Sequence, residues 1–285
     1  MSIIHDELNK LGIVCKDVSI LQNKDGVTVA RVVSGEKSYV VKCFQKDEDK
    51  REMENYRLLE TLGVPTIQVI SSTDSALLLE DIVCSSVYRL GMREDMSDSE
   101  VACRIAVWYK QLHDQGYPYV YQRAESMYDE ADFFTVENIF YIKEKTGTYD
   151  APAWRLLESS YAAISYLLSQ VRRTLTYNDF YYTNMVVAKD KSSALMFDYN
   201  LLGKGYAYSD VRNVLSSLSE EAGKAFLNVY GGFDPREKAL DDVVSVVVML
   251  FLACQHDKFP WWAKALLDEV DTTFVDKIGC LRNML

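Results

Sequence analysis

The sequence predicts an α+β protein in two parts: a small antiparallel-sheet lobe over residues 1–80 and a larger, mainly helical lobe over residues 81–285. Two observations predict this division. Five short apolar runs with strand-like patterning, separated by turns rich in Gly, Asn and Asp, occupy the first part. Beyond Glu80-Asp81-Ile82-Val83 the apolar spacing becomes helical, interrupted by one strand-turn-strand segment at 185–197. With 285 residues and 48% apolar content, the chain is long enough to bury a sizeable core.

The sheet is read from three runs, 13–21, 27–33 and 38–44, that follow a short amphipathic segment ending near Gly12. Asn23-Lys24-Asp25-Gly26 joins the first two and Ser34-Gly35-Glu36-Lys37 the next, which predicts a meander. Neither G-x-G-x-x-G nor G-x-x-x-x-G-K-[ST] occurs, so these turns carry no glycine-rich phosphate motif. Lys42 stands in the otherwise apolar run Tyr39-Val40-Val41-Lys42-Cys43-Phe44, and a lone buried ammonium is costly enough to require a partner. The helical segment that follows offers Glu52 and Glu54; a solvent-facing Lys42 with both acids on the surface is the alternative. Runs 66–71 and 76–79 complete a five-stranded sheet, and residues 80–83 read as a hinge.

In the second part, Ser97 and Glu100 form a capping-box pattern. Val101, Ile105, Trp108 and Leu112 follow at helical spacing, and Gly116 is read as the helix end. His113 on this helix lacks a nearby second ligand and reads as a packed histidine. Residues 117–150 are rich in aromatics (Tyr117, Tyr119, Tyr121, Tyr128, Phe133, Phe134) and acids (Glu125, Asp129, Glu130, Asp132). Such a mixture serves either as aromatic anchors under a solvated surface or as a cage for an amine. A helix over 151–171 then leads to the most informative stretch.

That stretch is Tyr177-Asn178-Asp179-Phe180-Tyr181-Tyr182-Thr183-Asn184, a polar and aromatic loop without a helical stripe. The apolar run 185–188, the turn Asp190-Lys191-Ser192-Ser193 and the run 194–197 predict a hairpin that returns Asp198 beside Asn184. These groups suit phosphoryl transfer: an acceptor for a hydroxyl proton at Asp179, and hard oxygen ligands for magnesium at Asn184 and Asp198. Simple turn punctuation by the same residues is the competing reading. Gly203-Lys204-Gly205 reads as a tight or mobile loop, Asp210 as an acid at a helix start, and 240–254 as an apolar helix.

On these residues the chain resembles the aminoglycoside phosphotransferases and choline kinases, small-molecule kinases with a protein-kinase-like fold. Their loop reads His-x-Asp-x-x-x-x-Asn with a later strand-ending Asp, matched at Asp179, Asn184 and Asp198; Tyr177 stands where the family usually has His. The resemblance implies an ATP- or GTP-dependent kinase of a small-molecule hydroxyl, with Asp179 as catalytic base and Mg2+ held by Asn184 and Asp198. It also implies that Lys42, steadied by Glu52, contacts the phosphates. The base would lie against the backbone near Glu80 and Ile82, and Tyr177 and Asp210 would support the loop. A pseudokinase with a regulatory role is the alternative, motivated by Tyr177 and the missing glycine motif. Protein kinase activity is disfavoured, because no Ala-Pro-Glu segment follows Asp198.

The remaining bounds concern partners. A formal charge of −11 argues against a nucleic-acid partner and is compatible with a cationic acceptor. Cys15, Cys43, Cys84, Cys103, Cys254 and Cys280 form no close pair and read as reduced thiols. The N-terminus has no signal-peptide pattern, and the longest apolar run, 243–254, falls short of the about 20 residues that span a bilayer. A cytoplasmic protein without a membrane partner is expected.

Overall fold

A computed structural model describes residues 2–123 and 127–284. Its elements in chain order are α1 (Ser2–Lys10), β1 (Asp17–Lys24), β2 (Val27–Ser34), β3 (Lys37–Phe44), α2 (Arg51–Thr61), β4 (Val69–Ser72), β5 (Ala76–Glu80) and β6 (Tyr88–Leu90). Then follow α3 (Ser99–Arg123), α4 (Val136–Thr146), α5 (Pro152–Gln170), β7 (Thr174–Thr176), β8 (Met185–Ala188), β9 (Ala194–Met196) and β10 (Gly203–Gly205). Five helices close the chain: α6 (Ala207–Ser217), α7 (Glu220–Tyr230), α8 (Pro235–Cys254), α9 (Lys264–Val270) and α10 (Phe274–Arg282). The described residues form two compact units, one from 1–115, 177–202 and 213–231, the other from 116–176, 203–212 and 232–285.

The first unit holds the five-stranded antiparallel sheet, ordered β1-β2-β3-β5-β4. Asp25 and Gly26 adopt positive φ, 54° and 92°, as a two-residue turn must to match the strand twist between β1 and β2. Ala30, Val32, Val41, Cys43, Ala76 and Leu78 pack with Ile4 and Leu8 of α1. The first strand starts at Asp17 and not at residue 13. Ile13 N donates to Leu8 O at 2.9 Å, closing α1, and its side chain serves the core before pairing begins. A second sheet, β6-β8-β9, carries the predicted hairpin, with Met185 opposite Met196.

Helix α3 differs from its sequence reading at both ends. Asp98, not Ser97, accepts from Glu100 N at 2.9 Å and Val101 N at 3.1 Å, because Ser97 is occupied in a preceding 3-10 turn. Gly116 does not end the helix. A Cβ there would stand 2.4 Å from Thr174 Oγ1 and 2.5 Å from Leu175 N, so glycine is required by the close passage of β7. Gly203-Lys204-Gly205 is a strand paired with β7 and not a loop, and a Cβ on Gly203 would meet Tyr128 O at 2.2 Å.

In the second unit, Phe133, Phe134 and Tyr117 pack as anchors, whereas Tyr121 is exposed. Phe133 stacks on Phe251 at 5.5 Å, Phe134 on Tyr161 at 5.4 Å, and Arg172 covers the Tyr117 ring at 3.7 Å. Glu125 lies outside the described residues. The segment also contains α4, begun by Thr135 accepting from Asn138 N and ended by Gly147 at φ 70°. His113 is buried, its Nδ1 2.7 Å from the Tyr230 hydroxyl. No described helix is long and apolar enough to cross a membrane.

Candidate active site

Strand β3 places Lys42 toward the sheet's inner side, and α2 presents Glu52 to it. Lys42 Nζ lies 2.6 Å from Glu52 Oε2 and 2.7 Å from Asp198 Oδ1, and Glu54 is solvent-exposed. Glu52 and Lys42 have side chains only 1% and 11% exposed, so the pair sits where an unpartnered charge would not be tolerated. Two of the ammonium's three donors are used, leaving one for a ligand oxygen. One turn further along the same face of α2, Asn55 donates to Tyr199 O at 2.7 Å and Tyr56 packs on the Tyr199 ring at 4.7 Å. Neither residue was singled out in the sequence; their spacing of three and four from Glu52 was the available signal.

The loop after Tyr177 holds Asp179 and Asn184 together: Asn184 Nδ2 donates to Asp179 Oδ2 at 2.9 Å. Phe197 N donates to Asn184 O at 3.0 Å, which brings the residue before Asp198 against this loop. Asn178 and Asp198 both have φ of 65°, a conformation rare for residues with side chains and concentrated at functional sites. Tyr177 is fully buried, and its hydroxyl donates to Phe197 O at 2.5 Å. Its ring packs against Trp108 and Tyr199, each at 5.8 Å between centroids. Asp210, fully buried in the first turn of α6, is in the second compact unit.

Burial and mutual charge decide the protonation of these groups. Burial disfavours the Lys42 ammonium, but Glu52 and Asp198 more than offset it, and its pKa is raised. Glu52 is pushed up to about 7 by burial, against the pull of Lys42 and with a further push from Asp198. Asp179 is raised to about 6 by burial and then by the charge of Asp198, with Asn184 and Lys42 opposing. One ammonium thus serves three carboxylates. That surplus of negative charge fits a divalent cation: Asp198 keeps Oδ2, and Asn184, its nitrogen committed to Asp179, keeps Oδ1. Two protein oxygens suit magnesium, which retains several waters and takes phosphate oxygens. Among the described residues no cluster of three or more His, Cys, Asp or Glu forms a metal site of its own.

Beside these groups is a cavity of about 240 Å3, walled by Val29, Val40, Leu79 and Ile67 and edged by Glu80, Asp81, Ile82 and Val83. Lys42, Glu52 and Asp198 also line it, so an apolar slot is continuous with a charged end.

The fold is the two-lobed protein-kinase-like fold of small-molecule kinases, with a small antiparallel-sheet lobe and a larger helical one. No protein-family model matches the sequence, and no curated protein matches it significantly. Solved structures do. The chain is similar to the choline kinase LicA from Streptococcus pneumoniae, with 13% identity, 98% of both chains covered and a TM-score of 0.63. It is similar to the macrolide 2'-phosphotransferase MphH from Brachybacterium faecium, with 15% identity, coverage of 96% and 98% and a TM-score of 0.63. It is also similar to APH(2")-IIa, solved as a ternary complex with streptomycin and ATP, with 18% identity, coverage of 98% and 97% and a TM-score of 0.63.

Proposed function

We propose that the protein is an ATP- or GTP-dependent phosphotransferase acting on a hydroxyl of a small molecule, of the aminoglycoside, choline or amino-alcohol kind. The observation that carries this reading is the convergence of the Lys42–Glu52 and Lys42–Asp198 pairs at the charged end of an apolar slot. The solved neighbours bearing this fold support it: by their names one is a choline kinase, one a macrolide 2'-phosphotransferase, and one was solved with streptomycin and ATP. Residues 1–80 serve as the nucleotide-binding lobe and 81–285 as the catalytic and acceptor-binding lobe, with the backbone at Glu80 and Ile82 against the base.

In this reading Lys42 directs its remaining donor to a phosphate oxygen, while Glu52 holds the ammonium in place. Asp198 and Asn184 would hold magnesium, which when bound would neutralise charge on the phosphates. Asp179 accepts a hydrogen bond from the acceptor's hydroxyl, orients it and takes its proton. Asn184 fixes the Asp179 carboxylate through its amide. Catalysis then consists of positioning and charge compensation. Tyr177 supports the loop. A cationic acceptor suits the surplus of carboxylates, and free cysteines suit the reducing cytoplasm.

The test is a screen for ADP and GDP release over choline, ethanolamine, aminoglycosides, sugars and amino alcohols. Turnover with one acceptor, abolished in Asp179→Ala while nucleotide binding persists, is the expected result. An Asp179→Ala variant with near-normal turnover would sink the assignment. Magnesium-dependent nucleotide binding without transfer to any acceptor would favour the pseudokinase reading.

A further inference from the structure

The end of the slot away from Lys42 carries a second charged device. Arg31 Nε donates to Asp81 Oδ2 at 2.7 Å and Nη2 to Oδ1 at 3.2 Å, a two-point pairing of guanidinium with carboxylate. Asp81 also accepts from Ser38 Oγ at 2.6 Å and from Val83 N at 3.2 Å. Its side chain is 1% exposed, whereas that of Arg31 is 31% exposed. Asp81 is therefore fully used in gripping Arg31 and capping the hinge turn, while Arg31 keeps a face and its Nη1 uncommitted.

Register locates that face. Val29 is opposite Lys42 and Arg31 opposite Val40, so Arg31 lies two residues further along β2, about 7 Å toward the hinge. Arg31, Asp81 and Val83 all line the slot. An ion pair internally balanced in charge, planar and held from three sides, is suited to an uncharged aromatic ring or a ribose hydroxyl and not to a phosphate, for which a balanced pair offers no net attraction.

We propose that Arg31, held rigid by Asp81 and Ser38, is a nucleoside-binding residue that seats the base and ribose, leaving the phosphates to Lys42. This rests on the phosphotransferase reading of the same site. Arg31 acts directly on the ligand; Asp81 and Ser38 are positioning residues acting through it.

The experiment measures binding of magnesium ADP, with magnesium GDP in its place if the wild type prefers guanine, and of magnesium tripolyphosphate to the wild type, Arg31→Met, the double variant Arg31→Met/Asp81→Asn, and Lys42→Met. The double variant removes both charges, so no unpaired buried carboxylate remains to unfold the chain. Both Arg31 variants are expected to weaken ADP by about tenfold, the worth of one charge-assisted contact, and to keep tripolyphosphate within about twofold. Lys42→Met is expected to weaken both ligands. ADP binding unchanged in both Arg31 variants overturns the proposal, as does an equal loss of ADP and tripolyphosphate, which would mean that Arg31 acts only through the fold. A wild type that binds neither ADP nor GDP overturns the phosphotransferase reading itself and the proposal with it.

Discussion

Replacing Tyr177 by Phe removes a single oxygen and little else. The ring is fully buried between Trp108, Tyr109 and Tyr199, and Phe fills the same space, so no cavity term arises. The loss includes the 2.5 Å bond to Phe197 O, and the carbonyl is left without that donor in a dry environment. Losing one partner of such a bond costs about 1–3 kcal/mol. The bond ties the start of the Asp179 loop to the residue before Asp198, so a slip between the two acids should lower kcat by about tenfold to hundredfold, since misplacement by about 1 Å has that effect. Urea unfolding should show a lower midpoint at unchanged m, alongside reduced turnover and retained nucleotide binding. Tyr177→His restores a donor but leaves a gap beside Trp108 and Tyr199, so it should not recover wild-type stability. A Phe variant within about 0.5 kcal/mol of wild type, with normal kcat, would refute the tether.

Two further outcomes follow from the same geometry. In the proposed reaction Asp179 must be ionised to accept a proton; since its pKa is raised to about 6, kcat should rise with pH through about 6 and level off above it. A folded-state pKa above the unfolded 3.8 means that this carboxyl's contribution to stability is present below that value and lost as pH rises through about 6. Asp179→Asn should therefore match wild type in stability near pH 4. Near pH 8 it should exceed it by about 1–2 kcal/mol after allowance for solvent screening, and equal melting curves at both pH values would contradict the shift. Gly116→Ala gains about 1 kcal/mol of helix propensity. The clash with Thr174 and Leu175 costs more, as overpacking against backbone must. A net loss of about 2 kcal/mol and a lower Tm are expected, and a stabilised variant would show that β7 can yield.

The elements legible in the sequence were those whose signal is local. Strand-like patterning revealed β2 and β3, the Asp190-Lys191-Ser192-Ser193 turn revealed the β8–β9 hairpin, and the helical spacing of Val101, Ile105, Trp108 and Leu112, all buried, revealed the body of α3. Boundaries failed where a distant partner overrode the local pattern. Gly116 has the chemistry of a helix end, yet α3 runs through it because β7, some sixty residues on, occupies the space of its missing side chain. Gly203 and Gly205 suggest a loop for the same local reason, and pairing with β7 makes them a strand.

For the site, residue types and spacing alone marked Asp179, Asn184 and Asp198 and required some partner for Lys42, because a buried ammonium cannot stay unpaired. Which partner, and whether the groups met at all, depended on chain closure across 156 residues between Lys42 and Asp198. The same holds for Arg31 and Asp81, 50 residues apart, neither of which carries a motif. Composition and period determined that the chain would build a small sheet and a helical body. Only the tertiary structure decided which charges converge, because electrostatic pairing in a dry interior depends on distance in space and leaves no period in the sequence.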